Sequence, residues 1–142
     1  MLQLVLPKGS LEKSTLQLFA DADLPVHRGS SVDYKGLIND PRITSVRILR
    51  PQEIGKDVAD GLVDLGITGR DWIEETESDV QSLGELHYSK NTARPVNIVL
   101  AVPEESPWNN VQDLPNGVRI STEYPQLTRK YSEDNGVEAE LQ

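Results

Sequence analysis

The chain has 142 residues, enough for one ordinary domain able to bury about two-thirds of its unfolded surface. Hydrophobic residues make up 37% and charged residues 26%, a globular profile rather than a disordered one. The net charge of -9, from 23 acidic against 14 basic side chains, repels a polyphosphate backbone and argues against a nucleic-acid partner, so a phosphorylated ligand would need locally placed cations and backbone amides.

Leu2 to Leu6 is a short apolar run ended by Pro7 and Gly9, which reads as a buried strand entering a turn. Ser10 is placed to cap a helix whose positions Leu11, Thr15, Leu18, Phe19 and Ala22 recur at helical spacing. Residues 23 to 43 carry little pattern beyond a weak strand at Lys35 to Ile38. Val46 to Leu49 is the next strand, and Pro51 suits the first turn of a helix running to Asp60 and stopped by Gly61. Leu62 to Thr68 follows as an apolar strand, with a turn at Gly69 and a short helix opened by Asp71. Repeated strand-helix alternation favours an open sheet with parallel strands.

Val96 to Val102 is the most continuous apolar run, expected as a strand crossing between two lobes, with a boundary near Arg94. Beyond it the pattern predicts a helical turn at Val111 to Leu114, a strand at Val118 to Ser121, a helix from Pro125 to Asn135 closed by Gly136, and a strand begun by Val137 to Leu141. The first lobe is thus expected over residues 1–93 and the second over 94–142.

No cysteine is present, which excludes disulfides and thiolate metal sites, and His27 and His87 are too far apart in sequence to suggest a metal cluster by themselves. The amino-terminal run lacks the basic flank and cleavage site of a signal peptide, and no segment is long enough to span a membrane; a cytoplasmic location is the expectation.

Three corners share a strand, a small or polar loop and a helix start: Lys8-Gly9-Ser10, Thr68-Gly69-Arg70-Asp71 and Ser121-Thr122-Glu123-Tyr124-Pro125. In an open parallel sheet such corners lie at the carboxyl ends of strands, where free amides and the positive helix end favour anions. Lys8 offers a mobile point charge, and Arg70 a planar fork suited to phosphate or carboxylate. Arg47 and Arg50 bracket a strand end, with Arg50 the better candidate for ligand contact. Asp57, Asp60 and Asp64 lack calcium-loop spacing, and only Asp64, within an apolar strand, calls for a special partner. Trp72 and Trp108 read as packing or rim residues.

The blocks Leu6-Pro7-Lys8-Gly9-Ser10-Leu11, Leu49-Arg50-Pro51-Gln52-Glu53-Ile54 and Asp64-Leu65-Gly66-Ile67-Thr68-Gly69-Arg70-Asp71-Trp72 resemble the ATP phosphoribosyltransferase family. Val99-Leu100-Ala101-Val102-Pro103 and the run from Ile120 through Ser121-Thr122-Glu123-Tyr124-Pro125 to Tyr131 resemble it too, in order. The resemblance implies an α/β fold of two lobes of the type II periplasmic-binding-protein kind, with open sheets and flanking helices. It implies transfer of phosphoribosyl from phosphoribosyl pyrophosphate to N1 of ATP, the first step of histidine biosynthesis, with Mg2+ accompanying the pyrophosphate.

Lys8 and Arg70 are then the expected catalytic electrostatic clamps. Gly9, Ser10, Arg50, Asp64, Thr68, Gly69, Asp71, Thr122 and Tyr124 are the expected substrate-binding residues, Asp64 as a hydrogen-bond acceptor and Tyr124 as an adenine or ribose contact. No protein ligand to the metal is assigned, and none of these residues need act as a general base. The family's Thr-Gly-x-Thr phosphoribosyl pyrophosphate loop and the return crossing to the first lobe are expected beyond Gln142, so the 142-residue chain is expected to be silent alone. Tyr88-Ser89-Lys90-Asn91-Thr92-Ala93-Arg94-Pro95 resembles the long form of the family, in which a regulatory domain senses histidine and the protein assembles as a hexamer or dimer. The competing reading is a non-catalytic small-molecule-binding module of the same architecture.

Overall fold

The structure, a computed structural model, describes residues 1–87 and 97–142. The chain divides into two compact units, Met1–Ala93 and Arg94–Gln142. The expected boundary near Arg94 and the Tyr88 to Pro95 segment lie outside the described residues.

In the first unit the elements run β1 (Leu2–Pro7), a 3-10 turn (Gly9–Leu11), α1 (Glu12–Asp21), β2 (Val26–His27), β3 (Lys35–Ile38), β4 (Ile43–Leu49), α2 (Pro51–Ala59), β5 (Leu65–Gly66) and α3 (Arg70–Glu75). They form one five-stranded sheet in the order β2-β3-β4-β1-β5. β1 pairs in parallel with β4 on one side and β5 on the other, whereas β3 is antiparallel to β4 and β2 antiparallel to β3. The sheet is therefore mixed rather than parallel throughout, because the short β2-β3 connection allows an antiparallel return without a crossover helix.

Alternation along β1 divides the core between the two faces of the sheet. Leu4 and Leu6 join Ile38, Val46 and Ile48 on one face, covered by Leu16 and Phe19 of α1. Val5 faces the other way, against Ile54 and Val58 of α2 and Val63. α1 thus covers one face and α2 the other. Thr15 is fully buried and Phe19 packs on the core as the spacing predicts, Leu16 joins them, and Ala22 is exposed at the helix end.

Local chemistry explains several element ends. Pro51 occupies the first turn of α2 after an extended Arg50, and α2 ends before Gly61, whose φ of +75° is left-handed and favours glycine. Ser10 is not the helix cap expected: it lies inside the 3-10 turn, and Leu11 holds the N-cap position of α1 without a side-chain bond. The strand expected over Leu62 to Thr68 shrinks to Leu65–Gly66, since only Leu65 and Gly66 find register partners on β1.

The second unit contains a 3-10 turn (Val111–Asp113), β6 (Val118–Ile120), α4 (Pro125–Asp134) and β7 (Ala139–Leu141), with β6 and β7 parallel. Asn110 and Asp113 form a capping box around the 3-10 turn. Pro125 opens α4, and Gly136, at φ +72°, closes it. Asn97 to Val102 is not the strand expected: it carries no secondary structure, and Ile98, Val99, Leu100 and Val102 are exposed. A strand needs a neighbouring edge for its backbone groups, and this run has no ladder partner among the described residues.

Candidate functional site

The direction of each strand decides which corners share an edge. β4, β1 and β5 are parallel, so their carboxyl ends lie on one edge of the first unit's sheet. The chain leaves β1 through α1 toward β4 and leaves β4 through α2 toward β5, on opposite faces of the sheet. With the parallel strands ordered β4-β1-β5, the chain turning from β1 toward β4 and crossing back to β5, the carboxyl ends of β1 and β5 flank the topological switch point, where open α/β sheets bind ligands.

Lys8, Gly9 and Ser10 follow β1, Arg50 follows β4, and Thr68, Gly69, Arg70 and Asp71 follow β5. Backbone and side-chain bonds tie these corners together. Lys8 N–H donates to the Leu49 carbonyl at 2.7 Å, and Ile67 N–H donates to the Val5 carbonyl at 3.1 Å. The Thr68 hydroxyl donates to the Pro51 carbonyl at 2.8 Å. Three cations, Lys8, Arg50 and Arg70, thereby stand on exposed positions along one edge.

Gly9 has φ +83° and open space where a Cβ would stand, so backbone at this turn is accessible to a ligand. Gly69 is different: its backbone is not left-handed, and it serves as the N-cap of α3. A Cβ there would collide with a carboxylate oxygen of Asp71, which folds back over the turn. Arg70 is 80% exposed and pairs with Glu74 at 3.2 Å and Glu85 at 3.8 Å. Exposed pairs of this kind are weak and readily exchanged for a more highly charged anion.

Asp64 is not brought to this edge. It precedes β5, is exposed, and accepts the Gln3 N–H at 2.8 Å while its own N–H donates to the Gln3 carbonyl at 3.0 Å. Gln3 belongs to the amino-terminal half of β1, so Asp64 closes the opposite end of the sheet. Its partner is backbone, which answers the need for one without any ligand.

In the second unit, Thr122 follows β6 and begins the loop into α4. Its hydroxyl oxygen accepts the Tyr124 N–H at 2.9 Å and lies 3.0 Å from the Thr128 hydroxyl, while its N–H donates to the Gln142 carbonyl at 3.1 Å. Tyr124 holds the N-cap position of α4 and is half-buried. Thr122 therefore shapes the loop that carries Tyr124.

A fourth segment, not marked by any sequence motif, lies on the same edge of the first unit. β2 runs in the same direction as β4, so the loop from Arg28 to Tyr34 sits at the carboxyl end of β2. Arg28, 13% exposed, donates to Glu12 of α1 at 2.9 Å and to the Asp33 carbonyl at 3.1 Å. Ile48 N–H donates to the Tyr34 carbonyl at 2.8 Å, which sets Tyr34 beside the end of β4. The loop's glycine and serines signal a turn but not the distant partner Glu12.

For a divalent cation the donor set is wrong: the edge is cationic at Lys8, Arg50 and Arg70. No group of three or more His, Asp or Glu side chains that could hold a metal occurs among the described residues. The edge suits anionic oxygens rather than a bare divalent cation. No helix among the described residues is long and apolar enough to cross a membrane.

Comparison with known proteins bears on the family. A family profile described as HisG, ATP phosphoribosyltransferase, matches residues 50–142. The chain is 45% identical over its whole length to an ATP phosphoribosyltransferase of Chlorobaculum parvum, and 46% identical over 140 residues, 97% of the chain, to one of Desulforudis audaxviator. It spans 47% of the length of each of these relatives. Among solved structures, an ATP phosphoribosyl transferase (HisG:HisZ) complex from Thermotoga maritima superposes with a TM-score of 0.73 at 26% identity, covering all of this chain and 63% of that one. Fold, profile and relatives agree, and the chain belongs to the ATP phosphoribosyltransferase family.

Proposed function

We propose that the chain is part of a cytoplasmic enzyme that transfers phosphoribosyl from phosphoribosyl pyrophosphate to N1 of ATP, opening histidine biosynthesis. The observation that carries this reading is the alignment of Lys8, Gly9, Arg50 and Arg70 along the carboxyl edge of β1, β4 and β5. Such an edge offers cations and free amides to phosphate oxygens.

In the reaction a bond forms between adenine N1 and the anomeric carbon, and the bond from that carbon to the pyrophosphate oxygen breaks. Both substrates are polyanions, so the protein's task is to align them and stabilise the charge that collects on the leaving group. Lys8 and Arg70 are assigned to phosphate oxygens, Arg50 to the same anionic region, and the Gly9 and Gly69 turns to backbone contact. Ser10 and Asp71 border these turns. Tyr124, on the loop shaped by Thr122, is assigned to adenine or ribose. A Mg2+ ion accompanying the pyrophosphate would neutralise part of its charge. A homo-oligomer is the assembly expected from the family.

Titration calorimetry of the chain with ATP tests this reading. Arg70→Ala and Lys8→Ala should each weaken binding about tenfold, as loss of one charge-assisted contact at an exposed site would. ATP affinity unchanged in both variants, or tight binding of an unphosphorylated solute in its place, would overturn it.

A further inference from the structure

We propose that Thr68 is a positioning residue that clips the two arginine-bearing corners into a single anion-binding edge. The proposal deepens, and rests on, the nucleotide-binding reading above. Pro51 is the first residue of α2 and immediately follows Arg50; Thr68 immediately precedes Gly69 and Arg70. The hydrogen bond from the Thr68 hydroxyl to the Pro51 carbonyl, at 2.8 Å and partly buried, joins positions seventeen residues apart.

The direction of that bond matters. A hydroxyl has one proton, and Thr68 gives it to Pro51, leaving only lone pairs. Phosphate oxygens at neutral pH need donors, so in this arrangement the hydroxyl is unsuited to hold the ligand. Its contribution is geometric. β5 has only two residues in register with β1, Leu65 and Gly66, and the turn beyond it is anchored through Thr68 to the corner that follows β4. With the clip released, Arg70 and Arg50 lose their common alignment while both charges remain.

The clip predicts a coupling that a bulk stability defect would not produce. ATP binding is measured by calorimetry on the full chain carrying Thr68→Val, Thr68→Ala or Thr68→Ser, each also in the Arg70→Ala background. Thr68→Val and Thr68→Ala should weaken ATP about threefold to tenfold, the range for one lost hydrogen bond. Thr68→Ser, which keeps the donor, should restore parental affinity. In the Arg70→Ala background Thr68→Val should add less than about twofold, because the group it aligns is gone.

Parental affinity in Thr68→Val or Thr68→Ala, an equal loss with and without Arg70, or failure of serine to restore binding would each overturn the clip. The Thr68→Ala and Thr68→Ser pair decides the matter if valine unfolds the chain. Arg70→Ala and Lys8→Ala together separate the two levels: if both leave ATP affinity intact, the nucleotide reading fails; if Arg70→Ala weakens ATP while Thr68→Val does not, only the clip fails.

Discussion

Gly66→Ala probes the packing that supports the ligand edge, and its cost follows from three distances. A Cβ at Gly66 would stand 2.6 Å from Ile54 Cγ2, 3.0 Å from Val5 Cγ1 and 3.2 Å from Val58 Cγ2. Ile54 is 1% exposed and Val5 fully buried, so the two nearest neighbours have little room to move. Overpacking a core by one methyl costs about 1–3 kcal/mol, offset by less than about 1 kcal/mol from the reduced freedom of the unfolded chain. The net is about 1–2 kcal/mol, which for a unit the size of Met1–Ala93 lowers its melting temperature by about 5–15 °C.

The chain has two tryptophans, Trp72 in the first unit and Trp108 in the second, so fluorescence of a Trp108→Phe background reports the first unit. In that background Gly66→Ala should melt lower, and its penalty should fall by more than half when Ile54→Ala opens the space. A shift below about 2 °C, or a penalty undiminished by Ile54→Ala, refutes the packing argument.

Three further perturbations test separate features. Asp40 accepts bonds from the Arg42 N–H, Nε and Nη2, and the Arg42 side chain chiefly holds its carboxyl at about 2, below the ordinary 3.8. Its stabilising contribution is therefore complete above pH 3.8 and lost as pH falls through about 2; the melting-temperature gap between parent and Asp40→Asn should close over that interval in acid melts. Gly9→Ala forces an L side chain to φ +83° without any clash, so unfolding titrations should show a loss of about 1 kcal/mol. Glu85→Gln removes an exposed 3.8 Å pairing with Arg70 and should change stability by less than about 0.5 kcal/mol in the same titrations.

Elements bounded by their own chemistry were legible in the sequence. β1 ending at Pro7, α2 between Pro51 and Gly61, and α4 between Pro125 and Gly136 follow from local rules. Features that depend on distant partners were not. The weak strand read at Lys35 to Ile38 is β3, but β2 and its antiparallel pairing depend on tertiary contacts that periodicity does not show, and the apolar run through Ile98 and Val99 reads as a strand although no ladder partner meets it among the described residues.

The candidate site divides in the same way. That Lys8 and Arg70 follow strand ends is visible from the strand-helix rhythm. That Asp64 sits at the other end of its strand depends on which β1 residue it pairs with, and that Thr68 meets Pro51 depends on how α2 crosses the sheet. Hydropathy encodes neither.

The two sides of the ligand edge are built to different stiffness. Lys8 extends from β1, which is matched with β4 along its whole length and packed on both faces, whereas Arg70 extends from a strand only two residues long. The lysine's corner is thus secured by a full ladder of strand pairing, whereas the arginine's corner relies on two ladder residues and a single threonine hydroxyl.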